Sequence, residues 1–404
     1  MVPGRVTIGI IALHFNPGRT GGSETYFRNL IRSLQRLDNE NQYLIFVPKE
    51  LADSLSLNAP NFTAVGMPGL SHVLGARLKR RALAQVASRR LAAIINAHAL
   101  DVAHFPFGTV FPEGVSAAKV LTVHDLQHEF LPDLFSRREL RRRRISYRTS
   151  ISTADAVLAV SDFTRQTILD AYRIPPDAVA VIHQGYDEGL FAPASAGEPD
   201  SYFFYPAATW PHKNHRRLLE AFSIVNAERP HFRLVLSGMA KQEDTQVSAQ
   251  IRLLGLEKVV RRVGYVADEQ LPALYGRAYA MVFPSLFEGF GIPLLEAMAC
   301  GCPVITSNVT SIPEVAGDAA LYFDPLDPVD IASKMLMVID EQSVRGDLAR
   351  RGALRVRRFS SDAVGRATLD ALVKAAYQTP IPTNRAQASL LRRLISRVGC
   401  PSGR

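Results

Sequence analysis

Short apolar runs alternate along most of the chain with longer segments that carry one apolar face. Residues 6–13 and 280–283 are examples of runs apolar and β-branched enough to form buried strands of a parallel sheet. Residues 328–340 and 361–377 have the spacing of amphipathic helices. The alternation predicts an α/β fold, in which helices cover parallel sheets.

One strand–turn–helix–strand unit is especially clear in residues 280–306. A glycine-rich turn follows the first strand. Ile292 then begins a predicted helix with Pro293 in its first turn, where a missing N–H does no harm. Gly301 ends the helix, and residues 303–306 are predicted as the next strand. The free N–H groups at the start of such a helix can bind an anion.

Two carboxylates of this unit, Glu288 and Glu296, are eight residues apart. On a helix they would be about 12 Å apart along the axis, from a rise of ~1.5 Å per residue. A glycosidase pair that flanks one scissile bond is only ~5–9.5 Å apart. The spacing therefore favours two hydrogen-bond acceptors that bind different hydroxyls of one elongated ligand. The two residues alone leave open that both are ordinary solvated glutamates.

The sequence around the two glutamates is more specific. Residues 287–304 read Phe-Glu-Gly-Phe-Gly-Ile-Pro-Leu-Leu-Glu-Ala-Met-Ala-Cys-Gly-Cys-Pro-Val, and residues 311–325 follow closely. Both stretches resemble the E-x7-E region of the family 4 retaining glycosyltransferases, most of all mannosyltransferases of surface polysaccharide assembly. The resemblance implies the GT-B fold, in which two Rossmann-like, doubly wound domains face each other across a cleft that binds a nucleotide sugar.

The resemblance also implies a domain organisation. Residues 1–190 would form an N-terminal acceptor domain and residues 191–358 a nucleotide-sugar domain. Residues 359–378 would form a helix that crosses back to the N-terminal domain. From their Pro- and Arg-rich composition, residues 379–404 are expected to form a basic, flexible tail or to touch a membrane.

The same resemblance assigns site residues. It implies donor binding by Gly22, Lys213, Glu288, Gly289, Phe290, Gly291, Ile292 and Glu296. It implies acceptor binding by Gly21, His124 and Asp125. Of these, His124, Glu288 and Lys213 are the implied catalytic residues. Glu288 would hold the sugar hydroxyls, Glu296 the nucleotide ribose and Lys213 the diphosphate. From the residues alone, a histidine at a strand end is usually structural, and a surface charge is the alternative, less favoured interpretation of Lys213.

The chain departs from the family pattern at Ala207, where the family has a second donor-binding arginine. His212, another basic group or backbone N–H groups would have to compensate. Gln184 also replaces an asparagine that is usual in the family.

The 404 residues, 47% of them hydrophobic, are enough for two domains with sizeable cores. The net charge of +9 favours phosphorylated substrates or an anionic lipid surface, since no nucleic-acid motif is present. Residues 72–97 are predicted to form a long helix with a basic run within residues 77–90, and a second basic run spans residues 137–144. Ser23 is predicted to cap a helix that runs to about Leu37. Three cysteines do not make a disulfide framework, and the N-terminus leads directly into a strand rather than a signal peptide. We therefore expect a cytoplasmic protein, with peripheral contact to the inner face of the cell membrane as a further expectation.

No metal-binding D-x-D motif is found, so we expect a metal-independent enzyme that needs no cofactor besides its nucleotide-sugar co-substrate. The resemblance implies retaining transfer of a hexose to a glycan or lipid-linked acceptor. GDP-mannose is the first expected donor, and UDP- and dTDP-sugars remain open. The alternatives are a GT-B nucleotide-sugar epimerase and a non-catalytic sugar- or membrane-binding subunit.

Overall fold

A computed structural model describes residues 4–18, 21–69, 80–193 and 199–378. In these residues the strands form two separate sheets, one in each half of the chain, and every strand pair is parallel. The first sheet has the order β3-β2-β1-β4-β5-β6-β7, and the second has the order β10-β9-β8-β11-β12-β13. In each sheet the strand order reverses next to the first strand, as in a doubly wound Rossmann-like fold, so the predicted fold class is confirmed.

The strands are short and lie mostly in the interior. Those of the first sheet are β1 Thr7–Ile11, β2 Gln42–Pro48, β3 Phe62–Met67, β4 Val102–Phe105, β5 Ala118–Val123, β6 Ala156–Ala159 and β7 Val179–Val181. Those of the second sheet are β8 Tyr202–Pro206, β9 Arg233–Ser237, β10 Val260–Gly264, β11 Ala280–Phe283, β12 Val304–Ser307 and β13 Ala320–Phe323.

Helices form many of the crossover connections that parallel strands require. In the described part of the first half they are α1 Gly22–Leu37, α2 Arg80–Asn96, α3 Gln127–Phe130, α4 Arg137–Thr153 and α5 Asp162–Tyr172. In the second half they are α6 His215–Glu228, α7 Asp244–Leu253, α8 Leu271–Arg277, α9 Ile292–Ala299, α10 Ile312–Ala316, α11 Pro328–Asp340, α12 Gln342–Arg355 and α13 Ser361–Gln378.

The last helix, α13, leaves the second domain and packs on the first, as predicted. Leu372, Ala375 and Ala376 join the apolar core that covers one face of the first sheet. Gly365 permits this contact, because a Cβ there would lie 2.2 Å from Ser33 Oγ on α1. Ser33 Oγ donates a hydrogen bond of 2.9 Å to the Ser361 carbonyl at the start of α13.

Two details differ from the sequence prediction. Ser23 was expected to cap the first helix, but α1 begins at Gly22 and its N-cap is Gly21, whose φ of 58° a glycine adopts without strain. A helix was predicted over residues 72–97, and the described helix is Arg80–Asn96. The remainder of that prediction, and the predicted tail over residues 379–404, lie outside the described residues.

Candidate functional site

A cavity of about 520 Å³ lies between the two domains, at the carboxyl ends of the strands. Residues from both halves of the chain line it. Ten of the residues predicted from the sequence are among them: Gly21, Gly22, His124, Asp125, Lys213, Glu288, Gly289, Phe290, Gly291 and Ile292. The structure therefore brings together loops that are up to 271 residues apart in sequence, from Gly21 to Ile292.

Lys213 and Glu288 form an ion pair in this cavity, with 2.5 Å between Lys213 Nζ and Glu288 Oε1. Lys213 follows β8 and Glu288 follows β11, and these strands are neighbours in the second sheet. The Lys213 backbone is held by the buried Tyr205, whose hydroxyl donates to the Lys213 carbonyl at 2.6 Å. Asn214 then takes a left-handed conformation and donates through its side chain to the Pro284 carbonyl at 3.0 Å. The charged pair is thus fixed at the sheet edge on two anchored loops.

Ser311 holds the glycine-rich loop from one side. Its hydroxyl lies 2.9 Å from the Glu288 carbonyl and 3.0 Å from the Phe290 carbonyl, and it is fully buried. In a trans peptide the carbonyl of one residue and the N–H of the next point in opposite directions. The N–H groups of Gly289 and Gly291 therefore point away from Ser311.

The N-terminal domain holds the same loop from the other side. Ser161 Oγ and Thr164 Oγ1 both donate to the Gly289 carbonyl, at 2.7 and 3.1 Å. The N–H of Phe290 consequently points away from these hydroxyls. The α9 helix begins immediately afterwards, at Ile292, with Gly291 as its N-cap at a φ of 111°. The loop thus combines oriented N–H groups with a helix N-terminus, an arrangement suited to a diphosphate.

Not every N–H of the loop is available to a ligand. The Glu288 N–H donates to Thr310 Oγ1 at 3.2 Å, within the same domain. The site for an anion is therefore limited to the part of the loop after Glu288.

Gly289 touches the backbone of the N-terminal domain. A Cβ at this position would lie only 1.7 Å from the His124 carbonyl oxygen and 2.9 Å from Asp125 Cβ. Only glycine allows this approach. The glycine-rich loop and the predicted catalytic histidine are consequently in direct contact.

His124 is held as a neutral imidazole with a defined tautomer. The Pro106 carbonyl can only accept, so His124 Nε2 carries the proton and donates to it at 2.7 Å. The Gln184 side-chain amide donates to His124 Nδ1 at 2.9 Å. Burial lowers the pKa of His124, which favours the same neutral state. Tyr26 packs edge-on against the ring, with 5.1 Å between centroids. The imidazole is therefore neutral near pH 7, and the catalytic role of His124 stays a prediction.

Of the other predicted acceptor residues, Asp125 follows His124 in the chain, and Gly21 lies at the start of α1 beside the predicted donor-binding residue Gly22. Asp125 uses Oδ1 to accept from the Gln127 N–H at 2.9 Å, at the start of α3. Gly21 and Gly22 open α1 on the opposite side of the cavity, and a Cβ added to either would meet no atom within 4 Å. They leave space for a ligand next to the N-terminus of α1.

Glu296 is not among the residues that line the cavity. Its side chain is buried in the second domain, where Glu296 Oε2 accepts from the Tyr275 hydroxyl at 2.9 Å. Burial raises the pKa of Glu296 to about 7. Its role in binding the ribose stays a prediction.

A second interdomain contact lies beside the cavity. Glu314 accepts from the N–H groups of Asp162 and Phe163, at 2.8 and 3.1 Å, and from His183 Nε2 at 2.8 Å. It therefore caps α5 of the other domain and complements the positive end of that helix. Among the described residues, Asp162, His183 and Glu314 also form the one group spaced to hold a metal ion. The Glu314 carboxylate is already used by three donors of the protein.

Sequence reasoning did not assign four of the residues that shape this site. Gln184 was noticed as a departure from the family pattern, but its contact with His124 could not be read from the chain. Ser311 and Glu314 lie within the stretch that resembles the family. The sequence of that stretch does not indicate which groups these two side chains contact. Lys241 was not singled out, although it lines the cavity.

Family models match both halves of the chain. The model described as "Glycosyltransferase Family 4" matches residues 20–190, and the model described as "Glycosyl transferases group 1" matches residues 190–355. The chain is 35% identical to the O-antigen chain mannosyltransferase B of Escherichia coli over 253 residues, which is 60% of this chain and 66% of that protein. It is 31% identical to the O-antigen chain mannosyltransferase RfbU of Salmonella typhimurium over 211 residues, 52% of this chain and 57% of that protein. The chain thus matches less than two thirds of the length of either relative.

Solved structures of similar fold cover more of the chain. Sucrose-phosphate synthase from Thermosynechococcus elongatus superimposes with a TM-score of 0.74 at 19% identity, covering 93% of this chain and all of that one. Anabaena Alr3699/HepE in complex with UDP and glucose gives a TM-score of 0.71 at 19% identity, covering 91% of this chain and 99% of that one. At this identity the likeness establishes the two-domain fold. The two family models together match residues 20–355, and the chain therefore belongs to the family 4 glycosyltransferases.

Proposed function

We propose that this protein transfers a hexose, with retention of anomeric configuration, from a nucleotide diphosphate sugar to a glycan or lipid-linked acceptor. The proposed donor is GDP-mannose, because the relatives named above are mannosyltransferases of O-antigen chains. The observation that carries the proposal is the interdomain cavity, where the Lys213–Glu288 pair and the glycine-rich loop meet His124.

The charges of the cavity match what this reaction requires. As the bond to the diphosphate breaks, negative charge grows on the phosphates, and Lys213 and the N–H groups after Glu288 can stabilise it. Glu288 accepts hydrogen bonds and is paired only through Oε1 in the described residues, so its other oxygen can receive a sugar hydroxyl. In a retaining transfer the acceptor attacks from the face that the leaving diphosphate vacates. The acceptor is proposed to approach from the residues of the N-terminal domain that line the cavity, which include Gly21 and Asp125.

The reaction as proposed requires no metal ion and no cofactor besides the donor. We expect transfer to continue in the presence of EDTA, since Lys213 and backbone N–H groups supply the stabilisation that a metal would otherwise provide. Loss of transfer on chelation, restored by a divalent cation, would contradict this part of the proposal.

The exposed face of α4 is proposed to contact an anionic membrane surface that carries the acceptor. Arg141, Arg142 and Arg144 are exposed there, together with Ile145, whose exposed fraction is 51%. Basic and apolar side chains on one exposed face suit anionic lipid headgroups. No described helix has the length and apolar character of a membrane span. Sedimentation with phosphatidylglycerol vesicles tests the proposal, and reversing the charges of Arg141 and Arg142 is expected to abolish binding.

The decisive assay incubates the purified chain with GDP-mannose, UDP-glucose, UDP-N-acetylglucosamine or dTDP-rhamnose, each with and without a lipid-linked oligosaccharide acceptor. We expect a glycosylated product only with acceptor, and most with GDP-mannose. The Glu288→Gln variant should keep the fold and lose at least about tenfold in rate, since one charged hydrogen bond contributes ~1.5–3 kcal/mol. A new nucleotide sugar formed without acceptor would instead indicate an epimerase. Wild-type rates from Glu288→Gln would refute the role of Glu288.

A further inference from the structure

We propose that Lys241 supplies the second cation for the donor diphosphate, in place of the arginine that the family has at the position of Ala207. The inference rests on the proposed function, because it assigns a residue to the same donor site. The residues concerned lie in the two loops that follow β8 and β9, which are neighbouring strands of the second sheet.

These two loops are tied together at the cavity edge. The Ala207 N–H donates to the Ser237 carbonyl at 2.8 Å. Gly238 fits against Ala207 only because it lacks a side chain, since a Cβ there would lie 2.4 Å from the Ala207 carbonyl carbon. A long side chain from the second loop can consequently reach the space that an arginine at position 207 would occupy.

Buried Thr209 fixes the position of Lys241. The Lys241 N–H donates to Thr209 Oγ1 at 2.7 Å, and the Glu243 N–H donates to the Thr209 carbonyl at 2.9 Å. The Thr209 N–H in turn donates to the Met239 carbonyl at 3.2 Å. The backbone on both sides of Lys241 is therefore hydrogen-bonded to the loop that leads to Lys213.

The Lys241 side chain lines the cavity beside Trp210, with Nζ 5.5 Å from the ring centroid. Trp210 is 40% exposed and shields one side of the ammonium from water. The cavity lining also contains Lys213, Ala207 and Glu288. Lys241 and Lys213 thus approach the same space from two adjacent loops.

Lys241 differs from the other cations near the site in its pairing. Lys213 is bound to Glu288, and Arg262, which lines a smaller cavity on the other side of Ala207, is bound to Asp244. No carboxylate of the described residues lies within 4.0 Å of Lys241 Nζ. Its charge is therefore available to an anionic ligand without breaking an ion pair.

His212 is the other basic candidate, and its electrostatic environment argues against it. Burial, and then the nearby Lys213, lower the pKa of His212 to about 4, so its imidazole is neutral near pH 7. A neutral imidazole can donate a hydrogen bond but does not neutralise a phosphate. Lys241 remains as the cation on this side of the cavity.

The test measures the binding of GDP, GMP and guanosine, and of UDP for comparison, to the full chain by calorimetry. Lys241→Met removes the charge and keeps most of the side-chain length. We expect it to weaken GDP binding about tenfold, as loss of one charged hydrogen bond does, and to leave guanosine binding unchanged. Lys241→Arg should bind GDP like the wild type. The wild-type affinity for GDP should also fall with added salt more steeply than that of Lys241→Met.

Lys258→Met is the matched control, because Lys258 is an exposed lysine of the same domain outside the cavity lining. It should leave all affinities unchanged. Equal GDP affinity for wild type and Lys241→Met would overturn the inference and leave the proposed function standing. Failure of the wild type to bind either GDP or UDP would overturn both. A fall in GDP and guanosine affinity by the same factor would also overturn it, since the side chain would then act on the nucleoside or on the fold.

Discussion

A single methyl group at Gly289 is expected to separate the two halves of the site. In Gly289→Ala the new Cβ would lie 1.7 Å from the His124 carbonyl oxygen, and such contacts are not found below 3.0 Å. The two backbones must therefore move apart by about 1.3 Å, the difference between these distances. The same movement stretches the hydrogen bonds from Ser161 and Thr164 to the Gly289 carbonyl.

The expected loss is large for activity and small for folding. A misplacement of about 1 Å in a catalytic arrangement costs roughly 100-fold, so we expect kcat/KM to fall by about this factor. The clash lies between domains that have separate apolar cores, and it is relieved when they separate. The thermal midpoint of Gly289→Ala should consequently stay within a few degrees of the wild type.

Gly346→Ala is the matched control. Gly346 lies within α12, and no atom comes within 4 Å of a Cβ built there. Alanine is more favourable than glycine inside a helix by ~0.5–1 kcal/mol, so this variant should be slightly more stable and fully active. Transfer rates and thermal unfolding of both variants are the measurements. If Gly289→Ala turns over as fast as Gly346→Ala, the close approach of Gly289 to His124 is not part of the active arrangement.

Three further outcomes are expected. Ser311→Ala removes the hydrogen bonds to the Glu288 and Phe290 carbonyls, and an unsatisfied buried group costs ~1–3 kcal/mol. The KM for the donor should therefore rise about tenfold. An unchanged KM would show that the loop keeps its conformation without Ser311. Glu314→Gln removes the carboxylate that caps α5, so hydrogen exchange of the Asp162 and Phe163 amides should become about tenfold faster. Exchange rates equal to those of the wild type would contradict the capping role. Burial lowers the pKa of His104 to about 3, far below the ~6.5 of a histidine in the unfolded chain. Between these two pKa values only the unfolded state binds the proton. The free energy of unfolding should therefore fall by ~1.4 kcal/mol for each pH unit below about 6.5. His104→Gln should reduce this slope in urea titrations, and an identical slope would show that His104 is charged in the folded protein.

The parts of the fold that could be predicted are those set by local sequence. The unit over residues 280–306 was predicted because a buried strand, a turn with two glycines and a helix that begins next to a proline each carry their own signal. The structure places the helix at Ile292–Ala299 and the flanking strands at Ala280–Phe283 and Val304–Ser307. The cap of α1 was predicted wrongly because Ser23 is a favourable capping residue by type, whereas the helix already begins at Gly22 with Gly21 as its N-cap.

The resemblance predicted which residues line the cavity better than it predicted what each one contacts. Glu288 and Glu296 were both predicted to face a ligand, and the sequence alone could not show that only one of them lines the cavity. Glu288 lies in the cavity, but Glu296 is directed to Tyr275, twenty-one residues earlier in the same domain. Which side of a short helix meets the cavity depends on how the helix packs against α8, and no local pattern records that.

Contacts between the domains could not be predicted from the sequence, because each contact joins two segments whose distance from one another depends on the whole fold. These contacts also orient the site. The α5 helix begins at Asp162, next to Ser161, which holds the Gly289 carbonyl, and Glu314 from the second domain caps the same helix. The N–H groups proposed to bind the donor and the His124 backbone are therefore brought together by one interface. It follows that variants of Ser161 or Glu314, which lie outside the cavity lining, should impair transfer more than they impair binding of a nucleoside diphosphate. We expect this because the residues proposed to bind the nucleotide lie mainly in the second domain, whereas those proposed to take part in transfer come from both domains.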